Sequence, residues 1–158
     1  MKRLNRKAYY DLTEEQEKFI QECEESVKFD DKQMNEIIWG VKHGLTMEQV
    51  KFYTNPKFDS SQMSNIRWGF ENGLTMEQVK VYANPKFNSN QMFEIEWGFR
   101  NGLTIEQVKF YADSKFEWNQ MYPIRKGFKN GLTIEEIKSK YKLANRKNKL
   151  NKITRRLK

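Results

Sequence analysis

The chain has a single cysteine, Cys23, and a single histidine, His43. One thiol forms no disulfide within the chain, so the composition points to a reducing cytoplasm and away from the disulfide-stapled secreted class. One His and one Cys make no metal site of recognised spacing, and neither metal nor cofactor is expected. There is no Gly-rich phosphate loop and no G-x-S-x-G elbow, so neither a phosphate cradle nor an activated serine is in view. No apolar run approaches the ~20 residues of a membrane span. The opening MKRLNRKAYY is basic but lacks an apolar segment, so no secretory signal is expected. These absences argue against an enzyme and against a membrane protein.

What is present is a repeat. KFDSSQMSNIRWGFENGLTMEQVKVYANP begins at Lys57, and related stretches begin at Lys28, Lys86 and Lys115, each 29 residues after the last. A fixed period in this range marks a stacked-repeat architecture. Numbering each copy from its Lys, position 2 is always Phe, position 6 Gln and position 7 Met. Position 3 is Asp30, Asp59, Asn88 or Glu117. That is a helix start: an N-cap at position 3, a capping box closed by Gln, and a hydrophobic staple between Phe and Met. Met, Ile and Phe (Val41 in the first copy) at positions 7, 10 and 14 give one apolar face. The helix stops at Gly44, Gly73, Gly102 or Gly131, where glycine supplies a left-handed cap.

A second start follows at once. Leu at 18, Thr at 19, Gln or Glu at 22 and Val or Ile at 23 form another capping box with a staple. Glu48, Glu77, Glu106 and Glu135 are assigned to the helix dipole and to pairing with Lys. Asn55-Pro56 and Asn84-Pro85 break this helix. Each copy therefore reads as a helical hairpin, one helix of about 13 residues and one of about 8. A second glycine, Gly40, Gly69, Gly98 or Gly127, sits inside the first helix at a cost of roughly 1 kcal/mol relative to alanine, and marks a close approach by a neighbouring helix.

The expected fold is all-α: a short α-solenoid of four 29-residue helical hairpins with an N-terminal capping helix and a basic C-terminal helix or tail. Residues 1–11 form a basic arm. The repeat domain spans 12–143, with a cap helix over 13–26 and repeats at 28–56, 57–85, 86–114 and 115–143. Residues 144–158 are a basic extension. The fourth copy is atypical, with Trp118, Tyr122, Pro123 and Lys126 at new places and Lys140 where the others have Tyr, as an end repeat should be.

The net charge of +8 is unevenly placed. Residues 1–10 carry +4, residues 138–158 carry ten Lys or Arg and no acid, and the middle holds all 21 acidic residues against 15 basic ones, giving −6. Basic ends of this kind suggest contact with a polyanion, through Arg146, Lys147, Lys149, Lys152, Arg155, Arg156 and Lys158. Leu150, Ile153 and Leu157 keep helical spacing, so the extension is either a docked helix or an arm that orders on a partner.

His43 falls where the other copies have Asn and reads as a helix-end residue rather than a catalyst. One repeated feature has neither a capping nor a core role: Trp39, Trp68 and Trp97 at position 12, about 160° round the helix from the core Ile. They share the outer face with variable positions that include Arg67, Phe93, Arg100, Tyr122, Arg125 and Lys129, and with Trp118. A constant frame with a variable face is how solenoids build binding surfaces. The alternative is that each Trp packs between neighbouring repeats.

The pattern KF-D-x-x-QM-x-x-I-R-x-G-x-x-x-GL, over about residues 28–137, resembles short helical repeats of poorly characterised phage and plasmid mobile-element proteins, some of them antirestriction or anti-defence proteins. The resemblance implies an accessory protein that acts by binding, without catalytic residues, in the host-cell cytoplasm. Three functions then compete. One is a non-catalytic inhibitor that binds a host protein or ribonucleoprotein complex targeting nucleic acid. The second is a nucleic-acid-binding protein using the basic termini, and the third is a structural spacer.

Removing residues 144–158 deletes seven positive charges. If the extension is a binding arm, nucleic-acid affinity falls sharply and loses its salt dependence while the melting temperature holds. If Leu150, Ile153 and Leu157 cap the last hairpin, the melting temperature falls instead. Measuring both on one truncated chain separates the two.

Overall fold

The computed structural model describes residues 12–26 and 28–142. The basic arm 1–11, residue 143 and the extension 144–158, with its seven polyanion candidates, lie outside the described residues. Among the described residues there are nine helices and no strand. They are α1 (Glu14–Glu25), α2 (Asp31–Lys42), α3 (Met47–Tyr53), α4 (Ser60–Glu71), α5 (Met76–Tyr82), α6 (Ser89–Arg100), α7 (Ile105–Tyr111), α8 (Trp118–Lys129) and α9 (134–142). The long helices have 12 residues and α3, α5 and α7 have 7, close to the lengths the capping signals imply.

The starts are built as the sequence indicates. Asp59 Oδ1 accepts from the Gln62 N–H at 2.8 Å, and Gln62 Oε1 accepts from the Asp59 N–H at 2.9 Å. The same reciprocal bonds recur at Asp30–Gln33 and Asn88–Gln91, and at Thr46–Gln49, Thr75–Gln78 and Thr104–Gln107. Glu117 keeps only half of the box. The Gln120 side chain accepts from its N–H at 2.9 Å, but the longer Glu117 side chain makes no cap bond. The long helices end in Schellman caps, with the Leu74 N–H reaching the Gly69 carbonyl and the Gly73 N–H the Phe70 carbonyl. Gly73 sits at φ +80°, a conformation that disfavours any Cβ.

The long helices pack in order, α2 on α4, α4 on α6 and α6 on α8, with α1 against α2. Each short helix lies against the long helix before it and the one after it. Met63, Ile66, Val79 and Tyr82 are fully buried, and their counterparts one period away repeat the core.

The interior glycines are close-approach points. A Cβ at Gly69 would overlap the Tyr82 hydroxyl, and one at Gly40 or Gly98 would overlap Tyr53 or Tyr111. The intruder is a side chain of the following short helix. Each hydroxyl aims past the glycine at a helix carbonyl: Tyr53 donates to the Glu36 carbonyl at 2.9 Å, and Tyr82 to that of Asn65 at 3.4 Å. In the last pair Ile137 fills the space over Gly127, and Tyr141, displaced by one position, donates to the Gln120 carbonyl at 2.8 Å.

Gly69→Ala should destabilise by about 1–3 kcal/mol, although alanine favours helix, because the added methyl meets the tyrosine. In a Tyr82→Phe background the cost should shrink. Equal losses of melting temperature in both backgrounds would place the obstruction elsewhere.

Candidate interaction surface

Positions 4, 8 and 12 of a long helix are spaced i, i+4, so their side chains stand in one row. The exposed large hydrophobic residues fall in these rows: Trp39 (49%), Trp68 (46%), Phe93 (38%), Trp118 (46%) and Tyr122 (44%). They come from α2, α4, α6 and α8, none from a short helix.

Trp39 and Trp97 meet other side chains of the protein. Trp39 stacks on His43 with ring centres 4.2 Å apart, and the Arg67 guanidinium of the next long helix lies 5.4 Å from its ring. Trp97 is half-buried, stacked on Phe93 at 5.8 Å and covered by Arg100 at 4.5 Å. Of these contacts, only that of Trp39 with Arg67 joins two helices; those of Trp97 lie within α6. Trp68 is exposed to a similar degree as Trp39. It lines a shallow groove of about 240 Å³ with Ser61, Ser64 and Asn65 of α4, faced by Ser89, Asn90 and Phe93 of α6. Asn65 is fixed there by donating to the Ser61 and Ser89 carbonyls at 3.0 and 3.1 Å.

Arg67 and Arg125, placed on the outer face by the repeat pattern alone, are instead buried between helices, at 5% and 6% exposure. Arg67 Nε donates to Glu36 Oε2 at 2.9 Å, and its Nη1 donates to both oxygens of Glu71 at 2.6 and 2.7 Å. Arg125 Nε donates to Glu94 Oε2 at 2.7 Å. Burial works against the Arg67 charge, but the bonds to Glu36 and Glu71 outweigh it, and its pKa lies above the ordinary arginine value. A stacked helix has a second contact stripe beside its core stripe, and position 11 falls in it. The acidic partners at position 9, Glu36 and Glu94, were equally hidden among ordinary helix-face charges. The one sequence signal for them is the separation of 31 residues, one period plus two.

Arg100 and Lys129 remain exposed, as does Lys126 in the fourth copy's tryptophan position. His43 caps α2, with Nδ1 2.8 Å from the Trp39 carbonyl; Asn72 and Asn101 donate to the equivalent carbonyls at 2.7 and 2.6 Å. Position 16 is therefore a helix-end position. Among the described residues no group of three or more His, Cys, Asp or Glu could hold a metal ion. None of the described helices is long and apolar enough to cross a membrane.

Compared with protein-family models, curated proteins and solved structures, the chain matches none. The surface must be read from its own chemistry.

Arg67→Met should cost about 3 kcal/mol, because Glu36 and Glu71 lose their shared cation in a site largely closed to water. Adding Glu36→Gln should return part of that loss. Urea unfolding of the two variants checks this; no recovery in the double variant would show that the Glu36 contact is idle.

Proposed function

We propose that the chain is a short α-solenoid of four helical hairpins behind a capping helix, and that it is a non-catalytic binding protein. The recurrence of one hydrogen bond supports the stacking. Gln33, Gln62 and Gln91 each donate through Nε2 to the carbonyl of the Phe 25 residues on, at 2.6, 2.6 and 2.7 Å. The observation that carries the binding reading is the aromatic row: the exposed large hydrophobic side chains stand on one kind of helix, at one set of positions. Solvent-facing aromatic side chains gathered in one row are of the kind that anchor protein interfaces.

The partner is a host protein or ribonucleoprotein complex that targets nucleic acid, and the chain is a phage or mobile-element inhibitor of it in the host cytoplasm. The resemblance of the repeat motif supplies that context. Within α2, α4, α6 and α8, Lys32, Lys42, Arg100, Lys126 and Lys129 are exposed, against Asp31 and an arginine-bound Glu71, while Asp30, Asp59 and Glu117 stand at the caps and α1 is acidic. This balance fits a partner surface of acidic character. It equally favours a second reading, a nucleic acid bound along the same basic side and the termini.

A pull-down from the native host, with and without nuclease, compares the wild type with Trp68→Ser/Phe93→Ser. A protein partner is expected to survive nuclease and to be lost, about 30-fold or more in affinity, with the double variant. Loss on nuclease treatment alone would establish the second reading. Capture indifferent to the variant would show that the aromatic row is not the interface.

A further inference from the structure

Three junctions join successive long helices, and the middle one differs from its neighbours. At the first, Glu36 of α2 takes Arg67 of α4, and Phe52 of α3 meets Phe70 edge-on at 6.0 Å. At the third, Glu94 of α6 takes Arg125 of α8, and Phe110 meets Phe128 edge-on at 5.7 Å. At the middle junction the same positions hold Asn65 and Glu96, and Val81 and Phe99. The ion pair and the aromatic pair are both absent from that set, and a carboxylate stands where the flanking junctions have a guanidinium.

Glu96 has 0% exposure, and neither carboxyl oxygen has a hydrogen-bond partner. Arg100, one turn along the same helix, brings Nη1 to 3.6 Å from Oε1, too far for a hydrogen bond. Arg100 is itself partly exposed and lies over Trp97. From α4 the residue in register is the uncharged Asn65, whose amide is committed to two carbonyls. From α5 the buried Tyr82 hydroxyl is given to the Asn65 carbonyl at 3.4 Å. The charged group that opposes the effect of burial on the carboxyl is Arg100. An ionised carboxylate with no donors in such a place is costly, and a proton is the cheapest remedy.

We propose that the α4–α6 junction is a proton-dependent joint, closed while Glu96 is a neutral acid and loosened when it ionises. It lies between two helix pairs locked by Glu36–Arg67 and Glu94–Arg125. Burial raises the Glu96 pKa above the ordinary 4.5, and Arg100 opposes the rise without cancelling it. The folded state therefore holds this proton more tightly than the unfolded chain does. Its contribution to stability is complete below the unfolded pKa and is lost as pH rises through the folded one. The Trp68–Phe93 groove spans this junction, so its width follows the same proton.

The test is a carboxyl ¹³C titration of the whole chain, with Glu96 assigned through bonds, alongside melts of wild type and Glu96→Gln at about pH 5 and about pH 8. Glu96 is expected to titrate above the other glutamates. The wild type should lose a few degrees relative to Glu96→Gln between the two conditions, since glutamine imitates the neutral acid. Hydrogen exchange, corrected for intrinsic rate, should quicken in α4 and α6 at the higher pH and less in α2 and α8. A Glu96 midpoint at or below the ordinary glutamate value would overturn the proposal. So would a Glu96→Gln chain that loses more stability at the higher pH, which would make Glu96–Arg100 a lock like the other two. If the variant does not fold, the wild-type titration decides alone.

Discussion

One side-chain amide ties each long helix to the next. Gln62 accepts from the N–H of its own cap residue through Oε1, while Nε2 donates to the Phe87 carbonyl at 2.6 Å and the Pro85 carbonyl at 3.3 Å. The Phe87 carbonyl lies where water is largely excluded, and leaving it unpaired there is expensive. The arrangement explains a choice that capping leaves open. A capping box accepts Gln or Glu at its third helical position, and the last short helix does use Glu136. A carboxylate at position 62 would turn acceptor against acceptor at the Phe87 carbonyl. Gln120, after which no comparable partner is described, is exposed where its three counterparts are buried.

The amide fixes how far each long helix is advanced on the last, and the surface follows from that. With the helices set in this register, position 9 of one meets position 11 of the next, and position 12 is left at the edge of the joint. Trp39 consequently lies beside Arg67 of the next long helix and is still half exposed. Phe93 and Trp68 face one another across the middle junction because position 8 of α6 is carried up to position 12 of α4. Tyrosines 53, 82 and 111 set the other dimension. They hold each short helix against the glycine of its long helix, so the row of long helices is free of cover on the aromatic side.

The exposed part of the surface was readable from the chain because it needs only the pitch of one helix. Trp39, Trp68, Phe93, Trp118 and Tyr122 are far round from the core stripe, and that angle alone brings them to solvent. Arg67 and Arg125 were misplaced by the same reasoning. Each lies four residues after a core Met and three before a core Phe, beside the core stripe, and the preceding helix turns that direction into an interior. Glu96 was hidden more deeply still, since nothing local separates it from an ordinary exposed helix glutamate.

Sequence by itself determined the local grammar: where helices start, where they stop, which stripe is apolar, and the period of 29. Capping boxes, Schellman glycines and i, i+3 stripes act within a few residues, so their signals are written contiguously. Tertiary structure decided what happens between copies. Glu36 reaches Arg67, Gln62 reaches Phe87, and Glu96 is left without a hydrogen-bond donor, through the way successive helices pack on one another. That packing is the joint outcome of all the buried side chains, and no single stretch of the chain encodes it.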